Sequence, residues 1–535
     1  MPVTPTYPGI YIEELPPATH TITGAATSIT VFVGYTHPFK TKKFEQAERV
    51  LSFAEYEQKF GGLYRSGLFD NDVAYAVYQF FLNDGANAFV IGLRPKYPYA
   101  NKGEELKDFS GKLVTDLSGE PLTKDAGSVL VEGGTSGVGV LFTSLEPVDL
   151  LPMIVTVKQP DLSEQTYDIT ITYGSRVETY RGVTLTDKKG DQKDPNFIET
   201  RINDVSGLAK VSLNPGATAY QLSDGKVSTS VWPTLENENM FAPGDFTPVF
   251  REHSSLDKID IFNLLVLPGI HDYGVLSQGL AFCERKRAFM IVDPPANASA
   301  DGMDGLLEME KLTVDMPKSP NGALYFPYLE SQDPYTGDTI ELPPSGYVAG
   351  IYARTDTNRG VWKAPAGLET IVKNATRVAD RGRMTDMRQG TLNPKGVNCL
   401  RTFPGKGTVV FGARTLVTEN EAFKHWRYVP VRRMALFIEQ TLYDNLKWVV
   451  HEPNDKPLWV AIRTSIESFM LSLFRQQAFQ GSTPSQAFQV KCDDQTTTQQ
   501  DIDNGIVNII VAFAPLKPAE FVIIKIAQLA GQAQS

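Results

Sequence analysis

The chain has 535 residues, a formal net charge of −11 and only six histidines. Its length exceeds what one hydrophobic core normally supports, so it predicts about two to four domains. The acidic charge argues against a general nucleic-acid binder, and the scarcity of histidine leaves little material for imidazole chemistry. The hydrophobic fraction of 42% is typical of a globular protein, neither disordered nor fibrous.

The three cysteines, Cys283, Cys399 and Cys492, have no metal-binding spacing and predict neither a disulfide framework nor a metal site. The first residues lack the basic start and apolar stretch of a signal peptide. No run approaches the roughly 20 apolar residues that cross a bilayer. We therefore expect synthesis in a reducing cytoplasm, without a signal peptide and without direct membrane insertion.

The first hundred residues alternate between predicted strands and helices. Two short apolar runs, 28–34 and 88–93, predict buried strands. Between them, 52–60 and 72–82 carry apolar residues at helical spacing, and Ser52 is a typical helix N-cap. Strands and helices at these spacings predict an α/β domain.

The composition changes near residue 95. From about 100 to 245 the chain is rich in Thr, Ser, Gly and Asp, with alternating runs at 153–157 and 167–173. This pattern predicts an all-β insert, a small sandwich or barrel. From about 255 the α/β pattern returns, with a predicted strand–helix–strand unit over 259–292. Residues 100–245 would then be an excursion from one α/β domain.

The last third is predicted to be mixed again. A strand is expected over 408–414, and two amphipathic helices over 431–449 and 458–478. Residues 505–513 and 520–528 are β-branched runs on either side of a loop with two prolines, which predicts two more strands.

Both ends of the chain are apolar and extended. Residues 520–528 are apolar on both faces and therefore require burial on both, and 7–14 is a shorter run between prolines. The C-terminal run is either a central strand of the subunit's own sheet or a strand donated to a neighbour's sheet. The flanking prolines favour extended arms.

No catalytic or cofactor motif is found. The phosphate-binding loop GxxxxGK[ST], HExxH and GxSxG are all absent. The glycine run 133–139 lacks the required lysine and predicts a turn, and the carboxylates of 301–305 predict a helix start. We expect no enzyme, no cofactor and no metal site. A glycan hydrolase that uses the insert as a binding module is the enzymatic alternative, but no acid pair supports it.

Several segments, in chain order, resemble the contractile tail sheath proteins of phages and phage-like contractile injection systems. The resemblance covers roughly 1–95 and 250–530. Its blocks are PGIYIEE (8–14), ITGAATSITVFVG (22–34), SFAEYEQKFGG (52–62), VYQFFLNDGA (77–86), GVWKAPAG (360–367), NPKGVN (393–398), WRYVPVRR (426–433) and APLKPAEF (514–521).

The resemblance implies a multidomain protein of the α/β and α+β classes. We expect five parts, which are an N-terminal arm that packs with a neighbour's C-terminal domain (1–25), a middle α/β domain (26–99 and 250–365), an inserted outer all-β domain (100–249), an inner tube-facing α/β domain (366–517) and a C-terminal arm (518–535).

The resemblance also implies roles for particular residues. The two arms would donate strands to adjacent subunits, and the donated residues would be Tyr7, Ile10, Tyr11, Ile12, Phe521, Val522, Ile523, Ile524 and Ile526. The receiving sheet would include Val409, Phe411, Ile506, Ile509 and Val511. Candidates for a charged surface facing the tube are Arg432, Arg433, Lys447, Arg463 and Arg475, for which a solvated helical face is an equal alternative.

The partners implied are further copies of the chain in stacked helical rings, an inner tube protein, baseplate and terminal cap proteins, and sister sheath proteins. No nucleic acid is implied. The chain would belong to a phage tail or phage-like injection particle, held in the bacterial cytoplasm until release or firing. A β-rich surface-binding or receptor-binding component of such a particle is the alternative function.

Overall fold

The computed structural model describes most of the chain. The described residues are 20–95, 127–132, 139–161, 165–189, 192–213, 222–229, 241–299, 302–334, 336–379, 384–418 and 420–525. None of the helices in these segments is both long and apolar enough to cross a bilayer.

The strands are numbered here in chain order. They are β1 Thr30–Tyr35, β2 Ala47–Val50, β3 Ala88–Leu93, β4 Ser128–Glu132, β5 Gly139–Ser144, β6 Met153–Lys158, β7 Thr166–Tyr173, β8 Arg176–Thr184, β9 Lys188–Lys189, β10 Gln192–Lys193, β11 Ala209–Leu213, β12 Gly225–Ser228, β13 Leu264–Val266, β14 Phe289–Val292, β15 Gly322–Phe326, β16 Leu329–Gln332, β17 Thr339–Leu342, β18 Arg377–Val378, β19 Val397–Phe403, β20 Gly407–Val410, β21 Phe488–Lys491 and β22 Ile510–Phe513.

Helices are named by their residue ranges. The α-helices are Phe53–Phe60, Asp72–Leu82, Ile198–Asn203, Pro243–Phe246, Tyr273–Lys286, Gly302–Asp315, Ser345–Arg359, Asp386–Leu392, Val429–Asn445, Lys456–Arg475, Pro484–Ala487 and Gln499–Asp503. Short 3-10 helices are Thr247–Phe250, Asn393–Lys395, Glu421–Trp426 and Lys447–Val449.

An eight-stranded sheet forms the centre of the molecule. Its order is β2-β3-β1-β13-β14-β15-β19-β20. The six inner strands are parallel, and β2 and β20 are antiparallel strands at the two edges. The chain leaves β1 toward β3 on one side and returns to β13 on the other. The sheet is therefore doubly wound, as the alternation of predicted strands and helices indicated.

Helices cover both faces of this sheet. Val31 and Val33 pack with the helices Tyr273–Lys286 and Gly302–Asp315, whereas Phe32 faces the helices Asp72–Leu82 and Ser345–Arg359. Successive residues of a strand point to opposite faces, so β1 must be apolar throughout. This explains the uninterrupted apolar run that the sequence shows at 31–33.

Local sequence signals fix the first helix. The Ser52 hydroxyl accepts a hydrogen bond from the Glu55 amide at 3.2 Å, and Gly61 ends the helix in a left-handed conformation with φ of 87°. The predicted helices over 52–60 and 72–82 and the strand over 88–93 are confirmed within one residue.

The chain from β4 to β12 forms a separate β-rich unit. Two antiparallel sheets, β11-β5-β4 and β12-β6-β7-β8, enclose their own hydrophobic cluster. The predicted strands at 153–157 and 167–173 are β6 and β7. The expectation of strands alone was incomplete, because the helix Ile198–Asn203 contributes two buried isoleucines, Ile198 and Ile202, to the same cluster.

The predicted boundary at residue 366 is wrong. We expected 366–517 to form one inner domain, but β19 and β20 extend the eight-stranded sheet. β19 lies parallel to β15, with Val397 opposite Leu324. The C-terminal part therefore begins after β20. Pairing with a distant strand decides to which domain 397–410 belongs, and the local sequence pattern does not show this pairing.

The two long C-terminal helices surround a fourth hydrophobic cluster. The predicted buried faces are confirmed, with Met434 and Ile438 from Val429–Asn445, and Ile462, Ile466, Phe469, Met470 and Leu473 from Lys456–Arg475. The first helix ends at Asn445, four residues before its expected end, and a 3-10 turn follows. The two-stranded sheet β21-β22 packs beside this cluster.

A buried carboxylate joins the β-rich insert to the central sheet. Glu146 of the insert is fully buried, and His37 Nε2 lies 3.3 Å from one of its oxygens. Lys40 Nζ and Arg176, whose Nη2 is at 3.0 Å, contact the other oxygen. Burial alone would raise the pKa of Glu146, but the hydrogen bond from His37 and the nearby cations lower the pKa to about 2.

We predict that Glu146→Gln destabilises the folded chain by about 3 kcal/mol, because two cations then lose their buried counter-charge. Urea unfolding of the full chain would measure this change. Glu421→Gln is the matched control, since Glu421 forms an exposed ion pair with Lys424 at 3.0 Å and should change the free energy of unfolding by less than about 1 kcal/mol. Equal effects of the two substitutions would contradict the structural role of Glu146.

Candidate functional site

The N-terminal segment is fastened to the C-terminal part of the same chain. The Thr23 amide donates to Asn445 Oδ1 at 3.1 Å, and Asn445 Nδ2 donates back to the Thr23 carbonyl at 2.9 Å. The Ala25 amide donates to the Thr441 hydroxyl at 3.0 Å. Residues 20–27 thus run along the helix Val429–Asn445 in the opposite direction.

The two ends of this segment are also held. The Arg433 guanidinium donates to the Thr27 carbonyl at 2.9 Å, and the ring of His20 stacks on Trp448 with centroids 4.0 Å apart. We call residues 20–27 the N-terminal root. The predicted donor residues Tyr7, Ile10, Tyr11 and Ile12 lie outside the described residues.

The C-terminal segment is fastened to the central sheet by one carboxylate. Arg414 donates to both oxygens of Glu520, from Nε and Nη2, each at 2.7 Å. Asn393 Nδ2 donates at 3.0 Å and the Tyr428 hydroxyl at 3.2 Å. We call these four residues the Glu520 clamp. Paired charged hydrogen bonds of this kind are stronger than neutral ones and fix direction as well as distance.

Beyond the clamp the chain is exposed and apolar. Phe521, Val522, Ile523 and Ile524 are 73%, 81%, 83% and 79% exposed, respectively. Residues 520–525 form no strand in the single chain, although a strand was predicted over 520–528. Ile526 lies outside the described residues. Four consecutive exposed apolar side chains leave unburied surface, which marks an interaction site.

One of the two predicted receiving segments has an unpaired edge. Within the described chain, β22 pairs with β21 on one side only. Ile509 and Val511 turn inward toward the fourth cluster, whereas Ile506 and Ile510 are 45% and 54% exposed. An open strand edge presents backbone groups that can pair with another chain.

The other predicted receiving segment is already occupied, which corrects the expectation for Val409 and Phe411. The Gly367 amide donates to the Val410 carbonyl at 2.9 Å, and the Val372 amide to the Thr408 carbonyl at 2.8 Å. Residues 367–372 thus cover the outer edge of β20. Val409 is buried, and it lies in a different sheet from β22.

Two of the five predicted surface cations are internal, which corrects those assignments. Arg433 is 4% exposed and donates to both oxygens of Asp356, at 2.9 and 2.6 Å. It also lies over the ring of Tyr352 at 4.6 Å. Arg432 donates to Asn321 Oδ1 at 3.0 Å and is mostly covered. Both guanidiniums therefore hold the fold together.

The remaining three cations do reach the surface. The Lys447 side chain is 69% exposed and lies 3.7 Å from Asp444. Arg475 is exposed and Arg463 is half-buried on the helix Lys456–Arg475. The structure therefore separates the five candidates into two internal and three accessible residues.

A cavity of about 410 Å³ opens at the carboxyl ends of β1 and β13. Open α/β sheets often bind ligands at such a switch point. Here Asp70, Asp72 and Asp272 line the cavity.

A fourth carboxylate, Asp293, is buried close to this cavity. It accepts hydrogen bonds from the Ser345 amide at 2.8 Å, the Ser345 hydroxyl at 2.5 Å and the Gly269 amide at 3.1 Å. Burial raises the pKa of Asp293 to about 7 despite these bonds. Burial, together with the charges of Asp70 and Asp293, also raises the pKa of Asp72 well above its usual value.

Two family models match the chain. One describes the phage tail sheath protein central domain and matches 255–416, and the other describes the phage tail sheath C-terminal domain and matches 421–528. Together they cover about half of the chain. The chain belongs to the phage tail sheath family. The resemblance stated from the sequence is confirmed, and the gap between the two matches lies between β20 and the helix Val429–Asn445.

Curated relatives agree with this family. Over 197 residues the chain is 26% identical to the tail sheath protein of Vibrio phage KVP40, and over 190 residues it is 27% identical to the tail sheath protein of Salmonella phage ViI. The matched regions are 36% and 35% of this chain but only 27% of either relative. The chain thus matches about a quarter of the length of these two sheath proteins.

Solved sheath structures share the fold. The sheath complex of PVC, an extracellular contractile injection system in its contracted state, superposes with a TM-score of 0.59 at 21% identity, covering 98% of both chains. The contracted helical sheath of the anti-feeding prophage gives a TM-score of 0.56 at 21% identity, with 98% of this chain and 100% of that chain covered. A mixed α/β fold of the sheath type is therefore established.

Sequence reasoning missed the Glu520 clamp and the N-terminal root. Glu520 was noted only as the start of an apolar run, and its partner Arg414 lies 106 residues earlier. Asn445 lies 422 residues from Thr23. The one available signal was an acidic residue between a proline-rich loop and four apolar residues, which predicts an anchor but not its partner.

We predict that Arg433→Gln lowers the free energy of unfolding by about 3–5 kcal/mol, because Asp356 would remain buried without its counter-charge. Arg475→Gln is the matched control on an exposed site and should change it by less than about 0.5 kcal/mol. Urea unfolding of both variants would measure the difference. Similar small effects would mean that Arg433 is not a structural residue.

A second prediction concerns pH. The pKa of Asp293 is raised to about 7 in the folded chain. The folded state therefore retains a proton that the unfolded state releases from about pH 4 upward, and this contribution to stability is fully present below about pH 4 and lost as the pH rises through 7. The free energy of unfolding of wild type should therefore decline by up to about 1.4 kcal/mol per pH unit in this range, and Asp293→Asn should not show this decline.

Urea unfolding of wild type and Asp293→Asn at pH 5, 6, 7 and 8 measures this slope. The control is Asp494→Asn, which removes an exposed carboxylate paired with Lys456 at 2.9 Å. The unfolding free energy of Asp293→Asn minus that of wild type should increase as the pH rises. The profile of the control should stay parallel to that of wild type. Parallel profiles for all three proteins would contradict a raised pKa at Asp293.

Proposed function

We propose that this chain is the structural subunit of a contractile sheath. Copies would assemble helically around an inner tube, and contraction would drive the tube through a target envelope. The observation that carries this proposal is the exposed apolar segment Phe521–Ile524, which follows a fixed anchor in a chain whose β22 has an open edge. The tail sheath relatives favour this function over a surface-binding component.

The segment Phe521–Ile524 is proposed to pair with the open edge of β22 in a neighbouring subunit. Burying an apolar side chain of this size contributes about 1.5–3 kcal/mol, and the added strand would also satisfy backbone groups along the edge. The same chain offers both the strand and the edge. A donor and an acceptor at different places on each copy give a head-to-tail contact, which repeats along an open helical polymer when its rotation does not close a ring.

The domain roles follow as proposals. The eight-stranded sheet and its helices would be the middle domain, and the β-rich insert, attached through Glu146, would face outward. The C-terminal part would face the tube, with Lys447, Arg463 and Arg475 as contacts. Exposed charged contacts contribute little each, which suits a surface that must release along its whole length.

The related structures suggest the partners of this chain. Chains of this fold occur in the anti-feeding prophage helical sheath and in its baseplate. We infer that this chain assembles with further copies of itself, with a tube and with a baseplate, in a phage tail or phage-like particle. Terminal cap proteins and sister sheath proteins remain further candidates. The proposed role is structural and uses no catalysis or cofactor.

We predict that truncation after Glu520 leaves a folded chain that no longer forms tubes, because the donated strand is removed while its anchor stays. Electron microscopy of the purified protein would show this loss, and circular dichroism would confirm folding. Tubes of normal length from the truncated chain would refute strand donation.

A finer test uses proline. Adjacent amides of a strand point to opposite sides, so only one of the amides of residues 522 and 523 would face the receiving sheet. A proline at that position removes a hydrogen bond to the sheet, and a proline at the other position does not. Val522→Pro and Ile523→Pro should therefore differ in effect, with at least one abolishing tubes. Val522→Thr keeps the amide and the β-branch and is the matched control.

A further inference from the structure

The Glu520 clamp connects the C-terminal arm to the central sheet and not to the strand that precedes it in sequence. β22 ends at Phe513, and the Ala514 amide and carbonyl are still bound to Ala487 and Gln480, at 2.8 and 2.9 Å. Pro515 still pairs with Phe479 in an isolated bridge, and residues 516–519 then cross to the central domain. The next side-chain anchor in the described chain is the Glu520 carboxylate.

The receiving side of the clamp is built into the sheet. The Arg414 amide donates to Asn398 Oδ1 at 2.6 Å, and Asn398 Nδ2 donates to the Arg414 carbonyl at 2.8 Å. Asn398 belongs to β19, is fully buried, and donates also to the Leu324 carbonyl of β15 at 3.0 Å. A force on Glu520 is therefore passed to two inner strands of the eight-stranded sheet.

The clamp is also largely shielded from water, and its carboxylate remains charged. The Arg414 side chain is 9% exposed and that of Glu520 19% exposed. Burial alone would raise the pKa of Glu520, but the hydrogen bonds from Arg414 and Asn393 lower it overall. The carboxylate therefore stays ionised, and the clamp closed, across the neutral pH range.

We infer that Arg414 is a positioning residue that transfers the load of the donated arm to the eight-stranded sheet. This inference rests on the proposed function. In the assembled polymer β22 would hold a neighbour's strand, while its own arm is pulled by another neighbour. Without the clamp, that pull would act directly on β22 and its short pairing with β21. With the clamp, the donating and the accepting strands of one subunit are mechanically separate.

The first test concerns the single chain. Spin labels are placed on Val522→Cys and on Leu307→Cys, an exposed position on the central domain, since the three native cysteines are buried. Electron spin resonance then gives the distance distribution between them. We expect a narrow distribution in the otherwise wild-type chain and at least a doubled width with Glu520→Gln or Arg414→Gln.

The matched control is Arg401→Gln. Like Arg414, Arg401 is an arginine paired with a carboxylate, Asp386 at 2.7 Å, but it lies in β19 and its ion pair does not involve Glu520. It should leave the distribution narrow. Glu520→Gln keeps the shape of the side chain and is the variant to rely on should Arg414→Gln fold poorly. An unchanged width with Glu520→Gln overturns the positioning role.

The second test concerns assembled tubes. Hydrogen exchange of the amides 510–513 is compared in tubes of wild type and Glu520→Gln, and in the single chains. We expect exchange at least about tenfold faster in the variant tubes and equal in the single chains, since the substitution weakens the clamp in both states but β22 bears the pull of the arm only in tubes. Equal exchange in both kinds of tube overturns load transfer.

The two proposals fail differently. If the wild-type chain forms no tubes, the proposed function and load transfer both fall, whereas the distance measurement still decides whether the clamp positions the arm. If tubes form and only the exchange rates are equal, the sheath function stands and load transfer alone is refuted.

Discussion

An unsatisfied strand edge and an uncovered apolar segment are the two features on which the rest of this subunit depends. Within the described residues, β22 pairs on one side only, and the side chains of Phe521–Ile524 are largely exposed. The Glu520 clamp holds the start of the C-terminal segment against the central domain. In the proposed assembly, further copies of the chain would cover both surfaces.

The N-terminal root and the Glu520 clamp are connected by one helix. The N-terminal root runs along Val429–Asn445 from Trp448 to Arg433, and the clamp includes Tyr428 at the start of the helix. A helix of this length spans about 25 Å. Its orientation is fixed internally by the Arg433–Asp356 pair. His20 and Glu520 are therefore held near opposite ends of the same helix. In the proposed sheath, this spacing would allow domains to be repositioned while the segments keep their pairing.

The sequence predicted what local pattern controls and failed where distant pairing decides. Helix 72–82 and strand 88–93 follow from apolar spacing and end signals, and the structure confirms both. Arg433 and Arg475 look alike in a helical pattern, yet Asp356, 77 residues away, makes only Arg433 internal. Residues 367–372 carry no strand pattern and still cover the edge of β20. A strand was expected at 520–528, and the described residues 520–525 form none, because strand formation depends on a pairing partner that the local pattern does not specify.

The central sheet also shows why fold alone does not decide function. A doubly wound sheet with a cavity at its switch point is the arrangement that nucleotide-binding enzymes use. In this chain the crossover at that point, between β3 and β13, carries the β-rich insert, and Phe241 and Pro243 on the return from the insert line the cavity. Three aspartates, Asp70, Asp72 and Asp272, line this cavity. The fold therefore does not by itself assign a ligand to the sheet. What the described contacts do show is that the sheet supports the Glu520 clamp, because Asn398 of β19 binds the backbone of both Arg414 and Leu324.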